Sequence, residues 1–409
     1  DLPLNSMASL LQYIKKHGTW SFLVMAAIAS TMTGAISFLA PLYPVMLAVA
    51  AAVCVTKMKK TSMPLVIMAA ACVLSLAFNH PPAIFKPWYR LAYFLLLLLA
   101  LTPLTSSRLL NAFRLNLFLW LMRFCVFIGA GSFIGYFLGI NYMRYNTSEM
   151  INVAGLFGGL VWQSITLGLL AGLGLVYLTV LHLENRDSGR KETKLRLGLM
   201  VACLGSILLS ASRSALVATL MGVGYVFFMY FRHAPKKLFR ALLALFFLGI
   251  LLVPFVQHFG ANTLAKQQAN LSMGSAMSSR TQLWEDRATE FLSSPLYGVG
   301  FASQKIISFK QSLVTGIIEP GTSYGAVFAM TGLLGGIPFL FILFGNLLKR
   351  PFRAPGSPPV SPAQAALALF AVHMIAEGYV FAAGSGLSAV FWAVIGGAHA
   401  YRNLPNGGK

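Results

Sequence analysis

Acidic residues are scarce in this chain. Its 409 residues include 10 Asp and Glu against 31 Lys and Arg, and charged residues of both signs make up 10% of the sequence. A soluble globular domain carries about 25% charged residues. With 57% hydrophobic residues and a mean hydropathy of +0.73, the chain has more apolar surface than a water-soluble fold can bury. The composition therefore excludes a soluble enzyme or binding module.

Several chemical signatures are also missing from the sequence. The four cysteines lie inside apolar runs without metal-type spacing, which indicates packing residues rather than a disulfide or metal site (Cys54, Cys72, Cys125 and Cys203). There is no Walker loop and no Asp-x-Asp pair of the kind that holds Mg²⁺ in many sugar transferases. If the protein is an enzyme, we expect a metal-independent mechanism without a cofactor.

Long apolar runs recur from end to end of the sequence. Runs of about 20 apolar residues are typical of transmembrane helices, whereas a membrane barrel needs short alternating segments, which this sequence lacks. We therefore predict an all-α polytopic membrane protein with about twelve transmembrane helices. The predicted spans lie near residues 20–37, 38–56, 63–78, 90–104, 117–139, 152–181, 197–212, 214–231, 239–256, 325–347, 362–382 and 385–401. We expect the sixth span to bend near Gly155, Gly158 and Gly159.

The net charge of +21 is explained by where the basic residues fall. With twelve spans, 21 of the 31 Lys and Arg lie in loops or termini on one side of the membrane. They are Lys15, Lys16, Lys57, Lys59, Lys60, Arg108, Arg114, Arg186, Arg190, Lys191, Lys194, Arg196, Arg232, Lys236, Lys237, Arg240, Lys349, Arg350, Arg353, Arg402 and Lys409. Basic loops stay in the cytoplasm, so we predict that both termini are cytoplasmic. We expect the lipid bilayer, and no nucleic acid, as a partner.

One long polar segment, 257–324, lies on the opposite side within a single membrane domain that covers 1–409. A loop of this length is usually functional or disordered. Its stretch SSRTQLWEDRATEFLSSP predicts an amphipathic helix that Pro295 ends. At 100° per residue Arg280, Trp284, Arg287 and Phe291 share one face, and we expect Trp284 and Phe291 to rest at the bilayer interface.

Two arginines on this outer side are candidate anion ligands. Arg213 lies in the turn LSASRSALVA, far from other charges, and such a charge near the membrane usually has a partner or ligand. Arg280 begins the loop helix, where free N–H groups suit a phosphate. Together they suggest a diphosphate site. The alternatives are a lipid-headgroup anchor for Arg213 and an exposed helix arginine for Arg280.

A second polar feature is the pair His373 and Glu377 in AVHMIAEGYV. A spacing of four places both on one helix face, in the outer half of the eleventh predicted span. Ionisable residues inside a membrane span suggest function. The alternative is a structural pair, or a counter-ion for an arginine.

These motifs resemble the O-antigen ligase and O-antigen polymerase superfamily of bacterial inner-membrane proteins. The resemblance rests on the SRSA turn, on R-x-x-x-W followed by SSPLYGVGF, and on a polar turn before GLLGG, and it covers roughly residues 200–345. It implies a C-type glycosyltransferase plan whose active site faces the periplasm. The implied donor is an undecaprenyl-diphosphate-linked glycan, and the implied reaction is a metal-independent inverting transfer to a sugar hydroxyl.

By position, the resemblance assigns the diphosphate to Arg213 and Arg280. Arg287, Trp284, Tyr324 and His373 are further candidate substrate-binding residues.

The sequence departs from the family pattern at one place. Ligases of the family show His-Asn-x-Tyr before the G-L-x-G segment, which places Gly321 at the histidine, Thr322 at the asparagine and Tyr324 at the tyrosine. Glu319, in the stretch EPGTSY, is our candidate substitute, because a carboxylate can deprotonate the attacking hydroxyl. Glu377 is the rival, and a turn residue paired to a cation is the structural alternative for Glu319.

The missing histidine favours a polymerase of exopolysaccharide or O-antigen repeat units. An O-antigen ligase, which joins the glycan to lipid A-core, is the alternative within the class. A transporter or lipid-linked glycan flippase is the alternative from another class, but it predicts matched broken spans in two halves of the chain, and the sequence shows no such symmetry.

Overall fold

The computed structural model describes residues 18–143, 157–184, 189–240, 243, 254, 278–307, 316–349 and 358–403. This part of the chain is mainly α-helical, as the sequence predicts. Its α-helices are α1 (Thr19–Ser30), α2 (Leu42–Thr56), α3 (Met63–Phe78), α4 (Pro87–Leu101), α5 (Arg108–Phe137), α6 (Ser164–Glu184), α7 (Arg190–Leu209), α8 (Arg213–Phe231), α9 (Ser278–Ser293), α10 (Ser323–Leu348), α11 (Pro362–Ala376) and α12 (Gly386–Asn403). Two 3₁₀ helices (Ser37–Leu39 and Ala83–Phe85) and two short strands, β1 (Lys60–Thr61) and β2 (Thr105–Ser106), complete it.

Five helical segments of the described residues are long and apolar enough to cross a membrane: Ala83–Leu101, Arg108–Phe137, Ser164–Glu184, Arg213–Phe231 and Ser323–Leu348. Shorter apolar helices are Thr19–Ser30, Leu42–Thr56, Met63–Phe78 and Pro362–Ala376. The chain is thus a multi-pass helical membrane protein. Most of the predicted span 239–256 lies outside the described residues, and Gly155 also lies outside them. Gly158 and Gly159 precede α6 rather than bending it.

Side-chain caps explain where three of the helices begin. Ser212 accepts a hydrogen bond from the Ala215 N–H at the start of α8, and Thr322 accepts one from the Gly325 N–H at the start of α10. Ser361 and Gln364 form a capping box at the start of α11. Each cap satisfies a backbone donor that a helix N-terminus leaves free, so these polar residues fix the helix starts locally.

The ends of the helices that carry the basic clusters lie together. β1 follows α2 and pairs antiparallel with β2, which follows α4. Arg402 near the end of α12 donates to Asn346 Oδ1 near the end of α10 (2.6 Å). Gln364 in the first turn of α11 donates to the Leu347 carbonyl (3.0 Å). One end of the bundle is therefore basic, which is the arrangement that a cytoplasmic end requires.

Helix α10 is broken at Gly332, whose φ is 61°. The SSPLYGVGF segment fills this break: Leu333 N–H donates to the Pro295 carbonyl and Val299 N–H to the Ala329 carbonyl, each at 2.8 Å. A Cβ at Gly332 would lie 2.4 Å from the Leu296 backbone, so only glycine fits. Irregular backbone in a membrane helix must find partners inside the protein, and this pairing supplies them.

Candidate active site

The turn between α7 and α8 presents the first polar group of the site. Ser212 Oγ caps α8 and lies 3.3 Å from Ser214 Oγ. Ser214 Oγ in turn donates to Glu377 Oε1 at 3.2 Å. Arg213 begins α8 between these two serines. The turn that the sequence predicts as an anion site therefore lies beside Glu377, 163 residues further along the chain.

Arg280 reaches the same carboxylate from α9. Its Nη2 lies 2.5 Å from Glu377 Oε1, and the two side chains are 29% and 14% exposed. A hydrogen bond between two ionised groups is stronger than a neutral one, so the pair holds both side chains in place while leaving them accessible. Arg280, Glu377 and the Arg213 turn thus meet where α8, α9 and α11 come together.

The segment EPGTSY holds the main chain around Glu377. Ser323 donates to the Glu377 carbonyl through both its N–H and its Oγ, each at 3.0 Å. The same Oγ accepts the Tyr379 N–H at 3.1 Å. Thr322 Oγ1 donates to the Met374 carbonyl near the end of α11 (3.3 Å). The start of α10 therefore fixes the end of α11, and with it the position of the Glu377 side chain.

Glu319, our candidate substitute for the family histidine, does not lie among the exposed polar groups. It is 3% exposed, and its oxygens accept the Val380 N–H at 2.8 Å and the Phe381 N–H. Burial raises its pKa to about 7, against the backbone N–H donors and Arg90, which lower it. Its carboxylate is occupied by the backbone that follows Glu377, so it is a positioning residue in this structure.

The amphipathic face of α9 packs on the protein, not on the bilayer interface as the sequence suggested. Trp284 Nε1–H donates to the Gly321 carbonyl at 3.3 Å, and the Phe291 ring lies against Phe328 of α10 with centroids 5.7 Å apart. Arg287 is 2% exposed and pairs with Glu290 at 2.9 Å. Arg287 and Trp284, both candidate substrate ligands, therefore have structural contacts here.

His373 and Glu377 are not a pair, because α11 ends at Ala376 and Glu377 already has extended backbone. His373 is buried, and its Nδ1 lies 3.2 Å from Tyr379 Oη. The Tyr324 hydroxyl donates to the Ala371 carbonyl at 2.9 Å. The hydrogen bonds of these two candidates are therefore made to Tyr379 and to the main chain of α11.

The site also contains residues that the sequence did not single out. Ser214 and Ser323 both contact Glu377, yet serines at helix starts normally indicate only caps. Their contact with Glu377 has no local signal in the sequence, because Glu377 lies far along the chain from both serines. In the part of the chain that the structure describes, no three His, Cys, Asp or Glu side chains are grouped to hold a metal ion. The absence of a metal from the mechanism stays a prediction.

One part of the chain is similar to a known protein family. No curated protein matches the chain. Residues 198–340 match the family model described as O-antigen ligase. The matched region contains Arg213, Arg280, the EPGTSY segment and the glycine break of α10, and the match confirms the resemblance predicted from the sequence. Residues 198–340 of this multi-pass membrane protein are therefore similar to the O-antigen ligase family.

Proposed function

We propose that the protein transfers a glycan from undecaprenyl diphosphate to a sugar hydroxyl on the periplasmic side of the bacterial inner membrane. The observation that carries the proposal is the meeting of Arg280, Glu377 and the Arg213 turn at one accessible place. Guanidinium groups remain charged at any physiological pH and match the geometry of a diphosphate. A carboxylate beside them supplies a proton acceptor for the attacking hydroxyl.

In the proposed reaction the diphosphate of the donor binds Arg213 and Arg280. The acceptor hydroxyl oxygen attacks the anomeric carbon, and the bond between that carbon and the diphosphate oxygen breaks. The diphosphate leaves with the bonding electrons, and the arginines stabilise its growing charge. The hydroxyl proton passes to Glu377. Donor binding weakens the hold of Arg280 on Glu377, so the carboxylate becomes a stronger base when the substrate is in place.

This assignment makes Glu377, rather than Glu319, the general base in place of the family histidine. Glu377 is partly exposed and contacts Arg280, whereas Glu319 is buried and accepts backbone N–H groups. A general base must reach the proton that it abstracts. Glu319 and Ser323 then act as positioning residues, because both hold the chain next to Glu377.

Polymerisation of repeat units is the reaction that we favour over ligation to lipid A-core. The chain has Gly321 where the ligases of the family have histidine, and His373 is buried against Tyr379. The experiment is reconstitution in proteoliposomes with an undecaprenyl-diphosphate-linked repeat unit. We expect a ladder of longer glycans and release of undecaprenyl diphosphate from this donor alone. Product that forms only after lipid A-core is added would identify a ligase, and no transfer to either acceptor would refute the proposal.

The proposed orientation places both termini in the cytoplasm and the 257–324 segment in the periplasm. The four native cysteines are free and buried, so they leave a low background for cysteine labelling. An impermeant thiol reagent added to spheroplasts should label a cysteine at Gln268 and not one at Lys191. The reverse pattern would refute the orientation, and with it a periplasmic active site.

A further inference from the structure

A cavity lies at the basic end of the bundle. Its volume is ≈ 480 Å³, and it is lined by the start of α3, by Pro103 and by the last turns of α10 and α12. Helix α10 begins at Ser323, which contacts Glu377, whereas its last turns line this cavity. The cavity is therefore separate from the proposed active site.

The polar side of this cavity is positively charged. The cations Lys349 and Arg402 line it together with His399, and among the described residues that line it there is no Asp or Glu. Arg402 has a fixed orientation, because its Nη2 donates to Asn346 Oδ1 at 2.6 Å. Gln364 Nε2 donates to the Lys349 carbonyl at 2.5 Å, which fixes the main chain at the second cation. Two cations around one space suit an anion with several oxygen atoms.

The other side of the cavity is apolar and faces the bilayer. Phe341 is 67% exposed, whereas Ile342 and Leu65 behind it are buried. Exposed apolar side chains on a membrane helix contact lipid tails, so Phe341 marks an opening from the cavity to the bilayer. A soluble anion would not contact this apolar side of the cavity, whereas the acyl chains of a lipid with a charged headgroup would.

We propose that this cavity binds an anionic phospholipid, with its phosphate between Lys349 and Arg402 and its acyl chains along Phe341. Basic pockets between transmembrane helices at the cytoplasmic end are where anionic headgroups bind. The bound lipid joins the ends of α3, α10 and α12. It therefore stabilises α10, the helix whose other end holds Glu377 through Ser323.

The test is a thermal-unfolding measurement on the full chain in detergent, with added cardiolipin, phosphatidylcholine or inorganic phosphate. We expect cardiolipin to raise the unfolding temperature and phosphatidylcholine to have little effect. Lys349→Ala should weaken the cardiolipin effect by about five-fold in lipid concentration, as expected for one cation near an anionic headgroup. Lys349→Arg should restore it. Lys191→Ala, which removes an exposed lysine of α7, is the matched control and should behave as the wild type.

Arg402→Lys is a second, conservative variant that should retain the fold. It keeps a positive charge at this position but loses the planar guanidinium group. A weaker cardiolipin effect with unchanged unfolding temperature in the absence of lipid supports the site. An equal cardiolipin effect in wild type, Lys349→Ala and Arg402→Lys would overturn it. Stabilisation by inorganic phosphate as strong as that by cardiolipin, at equal phosphate concentration, would also overturn the assignment to a lipid. None of these measurements depends on glycan transfer, so they stand apart from the test of the proposed function.

Discussion

Glu319 and Glu377 lie in two segments that pack against each other, but they differ in burial and in the type of hydrogen-bond partner. A Cβ at Gly378 would lie 2.0 Å from the Glu319 carbonyl oxygen, so the two backbones approach as closely as glycine permits. Glu319 is buried and accepts backbone N–H groups of Val380 and Phe381. Glu377 is bound by side chains, Arg280 and Ser214, and remains accessible.

This difference in hydrogen-bond partners distinguishes a carboxylate that positions the site from one that can take part in its chemistry. A carboxylate whose oxygens satisfy backbone donors cannot leave them without an energetic cost of about 1–3 kcal/mol per buried unpaired group. A carboxylate held by an arginine side chain can exchange that partner for a substrate. In the proposed mechanism Glu319 therefore stabilises the loop, and Glu377 is the group that reacts.

The largest effect is expected from removing an arginine of the site. Arg280→Ala and Arg213→Ala should each abolish glycan transfer in the reconstituted assay, because the leaving diphosphate loses a fixed charge. Arg280→Lys should also be poor, since an ammonium lacks the planar fork. Lys305→Ala is the control, because Lys305 is an exposed cation on the same side. Full activity of the Arg213→Ala, Arg280→Ala double variant would refute the diphosphate site.

The next largest effect concerns the reacting carboxylate. Glu377→Gln should lower the transfer rate by about 10²–10⁴-fold, the usual cost of losing a general base. Binding of the lipid-linked donor should persist, because both arginines remain. Single-turnover rates with saturating donor, together with a separate donor-binding measurement, check this. A variant that turns over normally would return the role of base to Glu319.

The contrast between these two carboxylates was not predictable from the sequence. Composition and apolar runs predict the helices, because length and hydrophobicity decide them locally. The Ser212 and Thr322 caps are likewise local signals. The approach of Arg280 to Glu377 spans 97 residues, and the contact of Glu319 with Phe381 spans 62. Such contacts depend on helix packing, which a single sequence does not encode in any local pattern.

A smaller effect, on stability, is expected at Glu319. The Val380 and Phe381 N–H groups donate to different oxygens of Glu319, and in Gln one of these oxygens becomes an NH₂ donor. Glu319→Gln should therefore destabilise the protein by about 1–3 kcal/mol. Activity per folded molecule should fall less than ten-fold. Thermal unfolding in detergent and transfer assays on the folded fraction measure the two quantities separately.

The same residue predicts a pH dependence of stability. Burial raises the Glu319 pKa from 4.5 to about 7, so between these values the folded state binds more protons than the unfolded state. Stability therefore falls as the pH rises from about 4.5 to about 7 and is level above that range. Glu319→Gln should remove this dependence. A wild-type unfolding temperature that rises over this range would contradict the raised pKa.

The smallest effect is expected at Trp284, which joins α9 to the Glu319 segment. Trp284→Phe removes one hydrogen bond of 3.3 Å to the Gly321 carbonyl and keeps the aromatic packing, so the cost should be about 0.5–1.5 kcal/mol. Arg280 should still reach Glu377, because Ser323 and Glu319 hold that chain independently of Trp284. Transfer activity should therefore stay within a few-fold of the wild type, as it should for the control Trp88→Phe at an exposed position of α4. A hundred-fold loss of transfer with unchanged unfolding temperature would instead mean that Trp284 contacts the substrate. Helix α9 would then contribute Trp284 to the groups that contact the substrate, in addition to Arg280.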